Sequence, residues 1–429
     1  MFETLKNAFQ NKDIRKKILF TLLILFVFRI GCYIPVPGLL RDYFETQVSG
    51  NDFLTLMSNI TGGALASGTL FALGIGPYIN ASIIMQLLAV GIPALERLSK
   101  QGEEGKKKIG TITRILTIIL AVVQSVGIIV NFANSGNAIK LDLFFDSNVF
   151  AGFYMTIVYT AGAMLVMWLG ERITEYGLGN GISMIIFVGI LSTAGDMLIN
   201  KFSQVGSDPA VLLEIGFFAI LVVVIFFLIV FVDLAERKIP VNYAKQVRGT
   251  KMYGGQSSSI PMKIAGSGVM PLIFAFAVIS FPSMIMSVVP AWNEAGAWWD
   301  SVFASGSWIY VLVLSVLIFL FSFFYNSIQF NPEDVSKNIQ QNGGFIQGIR
   351  PGKPTAQYLK KISKRITLFG AIYLTLIAFV PSFVFSWASY DLVNVFSTTG
   401  ILIVVSVALE FDKQLQSQIM MKNYKGFLK

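Results

Sequence analysis

The chain alternates between long apolar stretches and short polar connections that are often basic. A stretch of about 17 to 25 residues with almost no charge can cross the ~30 Å hydrocarbon core of a bilayer as a helix. The sequence contains ten such stretches, at residues 18–34, 70–92, 112–131, 151–169, 181–199, 211–232, 266–290, 308–327, 367–388 and 395–411. The pattern therefore predicts ten membrane-spanning helices, of which those with Pro77 and Pro271 are the least regular.

The second stretch belongs to an uncharged run of 43 residues from Phe53 to Leu95. As a single helix this run would extend about 65 Å, roughly twice the thickness of the hydrocarbon core. Its first part, "NITGGALASG" at 59–68, is a weak helix former, because each glycine costs about 1 kcal/mol relative to alanine. The group at 74–77, Gly-Ile-Gly-Pro, is expected to break or kink the helix where the weak part meets the strong part.

Residues 59–68 are expected to fold back into the protein near the outer side as a loosely held element, because small side chains offer little area to bury. The residues alone leave two interpretations open. One is a removable stopper in a pore. The other is a re-entrant packing element or a broken helix around a substrate, since helix breaks at membrane depth are tolerated where they are buried or line a cavity.

The distribution of Lys and Arg predicts the orientation of the chain. With both termini in the cytoplasm, 29 of the 33 basic residues fall in cytoplasmic segments, as basic loops prefer. Three fall in outer loops and Arg29 lies within the first span. The net charge of +9 is thereby explained without a nucleic-acid partner.

The ten spans divide into two groups of five. Because five is odd, a structural repeat of five spans places the second half upside down relative to the first. The predicted organisation is a cytoplasmic segment at 1–17, a first half at 18–200, a second half at 201–412 and a cytoplasmic tail at 413–429.

Composition excludes several classes of chemistry. Hydrophobic residues make up 54% of the chain and charged residues 13%, against about a quarter in soluble domains. There is no histidine and a single cysteine, so disulfides, haem and ordinary zinc sites are not expected. The segment "GIRPGK" at 348–353 has the wrong glycine spacing for a phosphate loop. We therefore expect no cofactor, no metal and no enzymatic activity.

The spans carry few ionisable residues, among them Arg29, Glu214 and Glu410. Proton-coupled carriers usually keep such residues inside the membrane, so this class is disfavoured. A passive pore, or a ten-span secondary transporter of an uncharged solute, remains.

Two predicted cytoplasmic loops, 233–265 and 328–366, are longer than a connection requires. Each is either a solvated basic loop that sets topology or part of a docking surface for a large soluble or acidic partner.

Several long strings at ordered positions resemble the SecY family. They are "FRIGCYIPVPG" (28–38), "GGALASGTLFALGIGPYINASIIMQLL" (62–88), "MWLGERITEYGLGNGISMIIF" (167–187), "VNYAK" (241–245), "GVMPLIFA" (268–275), "NPEDVSKNIQQNGGFIQGIRPGKPT" (331–355) and "ILIVV" (401–405). The resemblance implies an all-α membrane protein with ten helices in two inverted five-helix halves, a clamshell with an hourglass pore. It also implies a channel that conducts unfolded polypeptides and releases membrane helices sideways into lipid.

The resemblance assigns three sets of residues inside the membrane. The pore ring of that family maps onto Ile75, Ile79, Ile185, Ile273 and Ile403. Its plug maps onto Asn59, Ile60, Thr61, Gly62, Gly63, Ala64, Leu65, Ala66, Ser67 and Gly68. Its lateral gate, between spans two and three on one side and seven and eight on the other, maps onto Gln86, Gln124, Ser280 and Phe281.

The resemblance also implies partners. The two long loops correspond to docking sites for the ribosome and the motor ATPase SecA. The basic candidates are Arg237, Lys238, Lys245, Arg248 and Lys251 in the first loop and Arg350 in the second. The further expected partners are the small membrane subunits SecE and SecG, polypeptides that bear signal sequences, and the lipid bilayer of the bacterial plasma membrane.

Overall fold

A computed structural model of the chain describes most of its length. The described residues are 9–41, 44–45, 48, 57–99, 101–134, 148–205, 210–243, 246–248, 251–253, 257–264, 270–288, 307–388 and 398–426.

Each of the ten predicted spans is occupied by a helix. In chain order the helices are α1 (Lys12–Gly31), α2 (Gly76–Gly91), α3 (Pro93–Ser99), α4 (Glu103–Asn134), α5 (Asn148–Tyr176), α6 (Gly181–Gln204), α7 (Ala210–Leu234), α8 (Met270–Val288), α9 (Trp308–Gln329), α10 (Pro332–Gln341), α11 (Lys353–Ala388) and α12 (Thr398–Gly426). The helices α3 and α10 are short and lie outside the predicted spans.

The outer surfaces of these helices are apolar. Within the described residues, five helices are long and apolar enough to cross a membrane alone, and α2 with α3 forms a pair bent by 106° that also qualifies. Leu213 and Phe227 on α7 are 76% and 68% exposed, as suits side chains that face lipid.

The start of α2 confirms the helix break predicted at 74–77. This helix begins at Gly76 and carries Pro77 in its first turn, where the missing N–H is not needed. The helix α6 begins after Asn180, whose side-chain oxygen accepts hydrogen bonds from the amides of Ile182 and Ser183 at 3.1 and 3.5 Å.

Two packed groups of helices correspond to the two predicted halves. In the first, α1 packs on α5 and α6, and α4 packs on α2 and α5. In the second, α9 packs on α8 and α11, and α12 packs on α7 and α11. The groups meet where α12 contacts α6 and where α8 contacts α4. Helices from both halves therefore surround the middle of the molecule.

The two long loops that are predicted to be cytoplasmic fold together in their described parts, which their sequences did not predict. The first forms β1 (Glu236–Tyr243), β2 (Gln246–Arg248), β3 (Lys251–Tyr253) and β4 (Ser257–Lys263), and the second contributes β5 (Gly344–Phe345). The sheet order is β4-β1-β5, with both pairings antiparallel, while β2 pairs with β3. Because β5 reaches only Asn242 and Tyr243, Pro240 lies where β1 has a neighbour on one side only, as a proline requires.

This sheet, α10 and the start of α11 share a small apolar core, and we call this unit the cytoplasmic body after its predicted side of the membrane. Its buried members are Ile239, Val241, Met262, Ile339, Ile346, Leu359 and Ile362. The helix α11 begins at Lys353, well before the predicted span at 367–388, and α12 continues through the predicted boundary at residue 412. Lys413 of α12 forms an ion pair of 2.9 Å with Asp233 of α7.

Beside this ion pair the pKa of Lys263 lies below its ordinary value. Burial of the amine is the main cause, and the positive charge of Lys413 adds to it. The end of α7 and the middle of α12 thus meet the end of β4 in a small cluster of charges.

Candidate functional site

The five isoleucines assigned to a pore ring lie in one apolar cluster. Ile75, Ile185 and Ile403 are buried in it, and Ile79 and Ile273 pack against it while partly exposed. They belong to the start of α2, to α6, to α8 and to α12, and therefore to both halves of the molecule. Ile75 and Ile79 are four residues apart, which places them on one face at the start of α2. The structure thus brings together side chains that are far apart in the sequence.

Residues 57–75 fold back against this cluster and form what we call the sealing segment. Residues 57–60 make one helical turn, and residues 61–75 consist mainly of turns. Ile60 and Ala64 pack in the same cluster as the five isoleucines. The position confirms the expectation that the weak part of the uncharged run is not a membrane span.

Glycines allow the tight path of this segment. Gly74 has a φ of +52°, and a Cβ atom there would lie 2.5 Å from Thr61 Cγ2. Gly62 has a φ of +73°. Both residues adopt a backbone conformation that other residues rarely do, which accounts for the glycine-rich composition.

Main-chain contacts attach the sealing segment to the chain that follows α1. Pro35 and Thr69 form an isolated antiparallel bridge. The amide of Leu70 donates to the Ile34 carbonyl at 3.0 Å, and the amide of Val36 donates to the Gly68 carbonyl at 3.1 Å. These contacts hold the middle of the segment at the predicted outer end of α1.

Leu65 attaches the segment by burial. Its side chain is 1% exposed and lies in a cluster with Met155 and Tyr159 of α5. Burial of a leucine stabilises by about 1.5–3 kcal/mol. The sealing segment is therefore held more firmly than its small side chains predict.

The segment approaches α6 closely. Thr193 Oγ1 donates to the Asn59 carbonyl at 3.3 Å. A Cβ atom on Gly189 would collide with the Ile60 carbonyl oxygen, so only glycine allows this approach. Among the described residues, the Asn59 side-chain amide nitrogen is buried without a hydrogen-bond partner. An unpaired buried donor costs about 1–3 kcal/mol of stability, so this amide destabilises the position in which the segment packs against α6.

A polar cluster joins α1, α6 and the sealing segment. Arg29 Nη1 donates to the Gly62 carbonyl at 2.7 Å, and Arg29 Nη2 lies 3.2 Å from Asp196 Oδ2. Asp196 was not among the ionisable residues expected in the spans. The signal was available, since Asp196 is the one charged residue of the stretch 181–199.

The helices assigned to the lateral gate are neighbours, because α4 packs against both α2 and α8. The hydrogen bond of Gln86 runs to Ser82 of its own helix at 3.2 Å and does not cross this contact. Gln124 is half-buried on α4. The side chains of Ser280 and Phe281 lie outside the described part of the structure, so the polar contacts of the gate remain predictions.

Five of the six predicted docking residues lie in the described parts of the two long loops. Arg237 and Lys238 are exposed on β1, and Lys238 pairs with Glu236 at 3.3 Å. Arg248 and Lys251 are partners in the backbone register of the β2–β3 pairing, and Lys245 lies outside the described residues.

Arg350 is exposed in the turn between β5 and α11. Its backbone carbonyl accepts a hydrogen bond from Thr355 Oγ1 at 2.8 Å. The role of its side chain in docking stays a prediction.

Two glycines of α6, Gly189 and Gly195, allow a test of whether the sealing segment packs closely against this helix. We expect Gly189→Ala to displace the segment, and Gly195→Ala to leave it in place because the space around Gly195 is open. Both changes raise helix propensity by a similar ~1 kcal/mol. A difference between the two variants therefore reports the collision of the new Cβ atom at position 189 with the Ile60 carbonyl oxygen. The measurement is alkylation of Cys32, the sole cysteine, whose buried thiol lies 3.7 Å from the Thr61 carbonyl. Equal alkylation of both variants would contradict the close approach.

The chain matches a model of a protein family. The model for SecY matches residues 69–411.

The chain belongs to the SecY family.

Curated relatives in the SecY family match the whole chain. The chain is 41% identical over 441 residues to the protein translocase subunit SecY of Streptomyces scabiei, with 100% of both chains covered. It is 39% identical over 435 residues to the corresponding subunit of Halalkalibacterium halodurans, again with 100% of both covered.

Solved structures of SecY-type channels share the fold. A structure described as a protein-conducting channel matches with a TM-score of 0.64 at 20% identity, covering 94% of this chain and 91% of that one. Sec61 in a canine ribosome–channel complex matches with a TM-score of 0.61 at 19% identity, with the same coverage. This SecY-family chain is therefore a helical membrane protein of the plasma membrane with the channel fold, as its sequence predicted.

Proposed function

We propose that the chain is the pore-forming subunit of a protein translocase, which conducts unfolded secretory polypeptides across the plasma membrane and releases membrane helices sideways into lipid. The observation that supports this most directly is the convergence of five isoleucines from both halves in one cluster beneath the sealing segment. The names of the curated relatives agree with it. No observation favours a transporter of an uncharged solute.

In this proposal the five isoleucines are the constriction of the pore. Branched apolar side chains exclude water and ions from a narrow passage, yet they yield to a passing chain without binding it tightly. A charged ring would let water and ions enter. An unfolded polypeptide with mixed side chains is thus the substrate that suits this lining.

Removal of the constriction is expected to make the channel leak. Changing both Ile79 and Ile403 to glycine should raise ion conductance by about tenfold or more, because a wider constriction fills with water. The matched control changes Ile157 and Ile220 to glycine, since both are exposed on the outer faces of α5 and α7. An unaltered ion barrier in the first variant, measured in planar bilayers, would count against the constriction.

The middle of the sealing segment, residues 59–68, is the plug in this proposal. It covers the isoleucine cluster from the side on which α1 ends and α2 begins, which the positive-inside pattern places outside the cell. A further solved structure matches with a TM-score of 0.63 at 19% identity, and the plug domain of that SecY is described as stabilising the closed state of its channel and maintaining a membrane seal. The removable stopper is therefore the interpretation that we propose here.

The lateral gate is proposed at the contact of α4 with α2 and α8. An apolar helix that enters the pore gains about 25 cal/mol for each Å² transferred to lipid, which drives its exit through this contact. Interhelical hydrogen bonds of Gln124 and Ser280 would close the gate at about 1 kcal/mol each, whereas Gln86 donates to Ser82 of its own helix.

Energy for transport is proposed to come from partners that bind the cytoplasmic body. The partners are SecA and the ribosome, and SecE and SecG are proposed as companion membrane subunits. Both termini are proposed to lie in the cytoplasm. Exposed Arg350 and the basic residues of β1 supply charge that suits acidic surfaces of a motor or of ribosomal RNA.

Crosslinking of a stalled, signal-bearing polypeptide tests the proposed path. Cysteines at positions 79, 185, 273 and 403, each placed in a Cys32→Ser background, should all crosslink to the stalled chain. Cysteines at 157 and 220 serve as controls because these positions lie on exposed apolar faces. Crosslinks at the control positions alone would overturn the proposed pathway.

A further inference from the structure

An ion pair between two of the predicted spans lies beside the sealing segment. Arg29 is near the end of α1, and Asp196 lies within α6, eight residues before that helix ends at Gln204. Their side chains are 20% and 58% exposed. Ionisable groups within a span are costly and usually mark function, with a partner that can be named. This pair therefore requires an explanation beyond helix packing.

The guanidinium of Arg29 connects three parts of the structure. Its Nη1 donates to the Gly62 carbonyl at 2.7 Å, while its Nη2 donates to Tyr33 Oη at 2.7 Å and to Asp196 Oδ2 at 3.2 Å. The same group lies 4.6 Å from the centre of the Tyr33 ring. A planar group with several fixed donors can hold such partners at once, as an ammonium cannot.

Three carbonyls of the sealing segment accept from side chains on or beside α1 and α6. Thr193 Oγ1 donates to the Asn59 carbonyl, the Cys32 thiol to the Thr61 carbonyl and Arg29 to the Gly62 carbonyl. Among these three donors only Arg29 is charged, and its bond is the shortest. Hydrogen bonds from charged donors are roughly twice as strong as neutral ones.

We infer that Arg29 is a positioning residue for the plug, which it holds closed through the Gly62 carbonyl, and that Asp196 orients Arg29 for this contact. This inference rests on the proposed function of the sealing segment as a plug. When the segment leaves, Arg29 stays paired with Asp196 and Tyr33, so no buried charge is left alone. The latch can therefore open and close repeatedly.

Variants of the latch have distinct expected effects. Arg29→Met removes the bond to Gly62, so alkylation of Cys32 and resting ion conductance should each rise by about tenfold. Asp196→Asn retains Arg29 but weakens its orientation, so we expect a smaller rise of about threefold. Arg29→Lys keeps the positive charge and should therefore leak less than Arg29→Met.

The double variant separates the latch from general damage. Arg29→Met together with Asp196→Asn leaves no unpaired carboxylate, and it should leak no more than Arg29→Met alone, because Asp196 acts through Arg29. The control is Asp233→Asn, the same chemical change in the Lys413 ion pair of the second half, which should alter neither measurement.

The outcomes distinguish this inference from the proposed function. If deletion of residues 60–68 causes a leak while Arg29→Met and the double variant stay sealed with an unreactive Cys32, the plug stands and the latch is wrong. If Asp196→Asn behaves like Asp233→Asn, the role of Asp196 is wrong. If the deletion itself causes no leak, the proposed plug fails and the latch fails with it.

Discussion

Deletion of residues 60–68 should leave a folded channel that conducts ions at rest. The deletion removes Leu65 and the Gly62 carbonyl, whose burial and charged hydrogen bond together stabilise the closed position by about 3–6 kcal/mol. Without a stopper over the isoleucine cluster, resting conductance in planar bilayers should rise by about two orders of magnitude. The deleted residues belong to none of the helices α1 to α12, so these helices should remain packed.

The intact protein and the Gly195→Ala variant are the controls for this experiment. An unchanged elution profile in detergent should accompany the leak, which separates loss of the seal from unfolding. A deletion variant no more conductive than the intact protein would contradict the plug and would favour a purely structural re-entrant segment.

Arg350→Glu should abolish partner-driven translocation while insertion of the channel into the membrane stays intact. The side chain of Arg350 is exposed, and its described structural contact is made by its backbone, so the change should not disturb the fold. Reversal of a charge at the centre of an interface typically costs about 2 kcal/mol or more, which corresponds to about a thirtyfold loss of affinity. The measurement is ATP-dependent precursor transport into vesicles with SecA present.

Lys337→Glu is the matched control for this charge reversal. Lys337 is exposed on α10 of the same cytoplasmic body and undergoes the same change of charge. Normal transport by Arg350→Glu, or an equal loss in both variants, would show that Arg350 has no special role.

Helices and their breaks could be predicted from the sequence because their causes are local. Uncharged stretches located every helix of spanning length, and the Gly-Pro pair at Gly76 and Pro77 located the start of α2. The ends of helices were less predictable. The helices α11 and α12 extend beyond the predicted spans, and the polar residues of these extensions gave no signal of where each helix ends.

Contacts between distant residues could not be predicted in the same way. The pairing of Asn242 with Phe345 joins two loops about a hundred residues apart, and β5 is too short to have a recognisable pattern. Arg29 and Asp196 were both visible in the sequence, but their partnership depends on how α1 packs against α6. The grouping of the five isoleucines likewise came from the family resemblance, since an apolar residue in a span usually faces lipid or core.

The cytoplasmic sheet has a mechanical consequence. In the chain, β1 follows α7, β4 precedes α8, and β5 lies between α10 and α11. Because these strands form one sheet, a force applied to one strand is transmitted to the ends of several helices. A load on this sheet would therefore reach several helices of the second half together, rather than one loop alone.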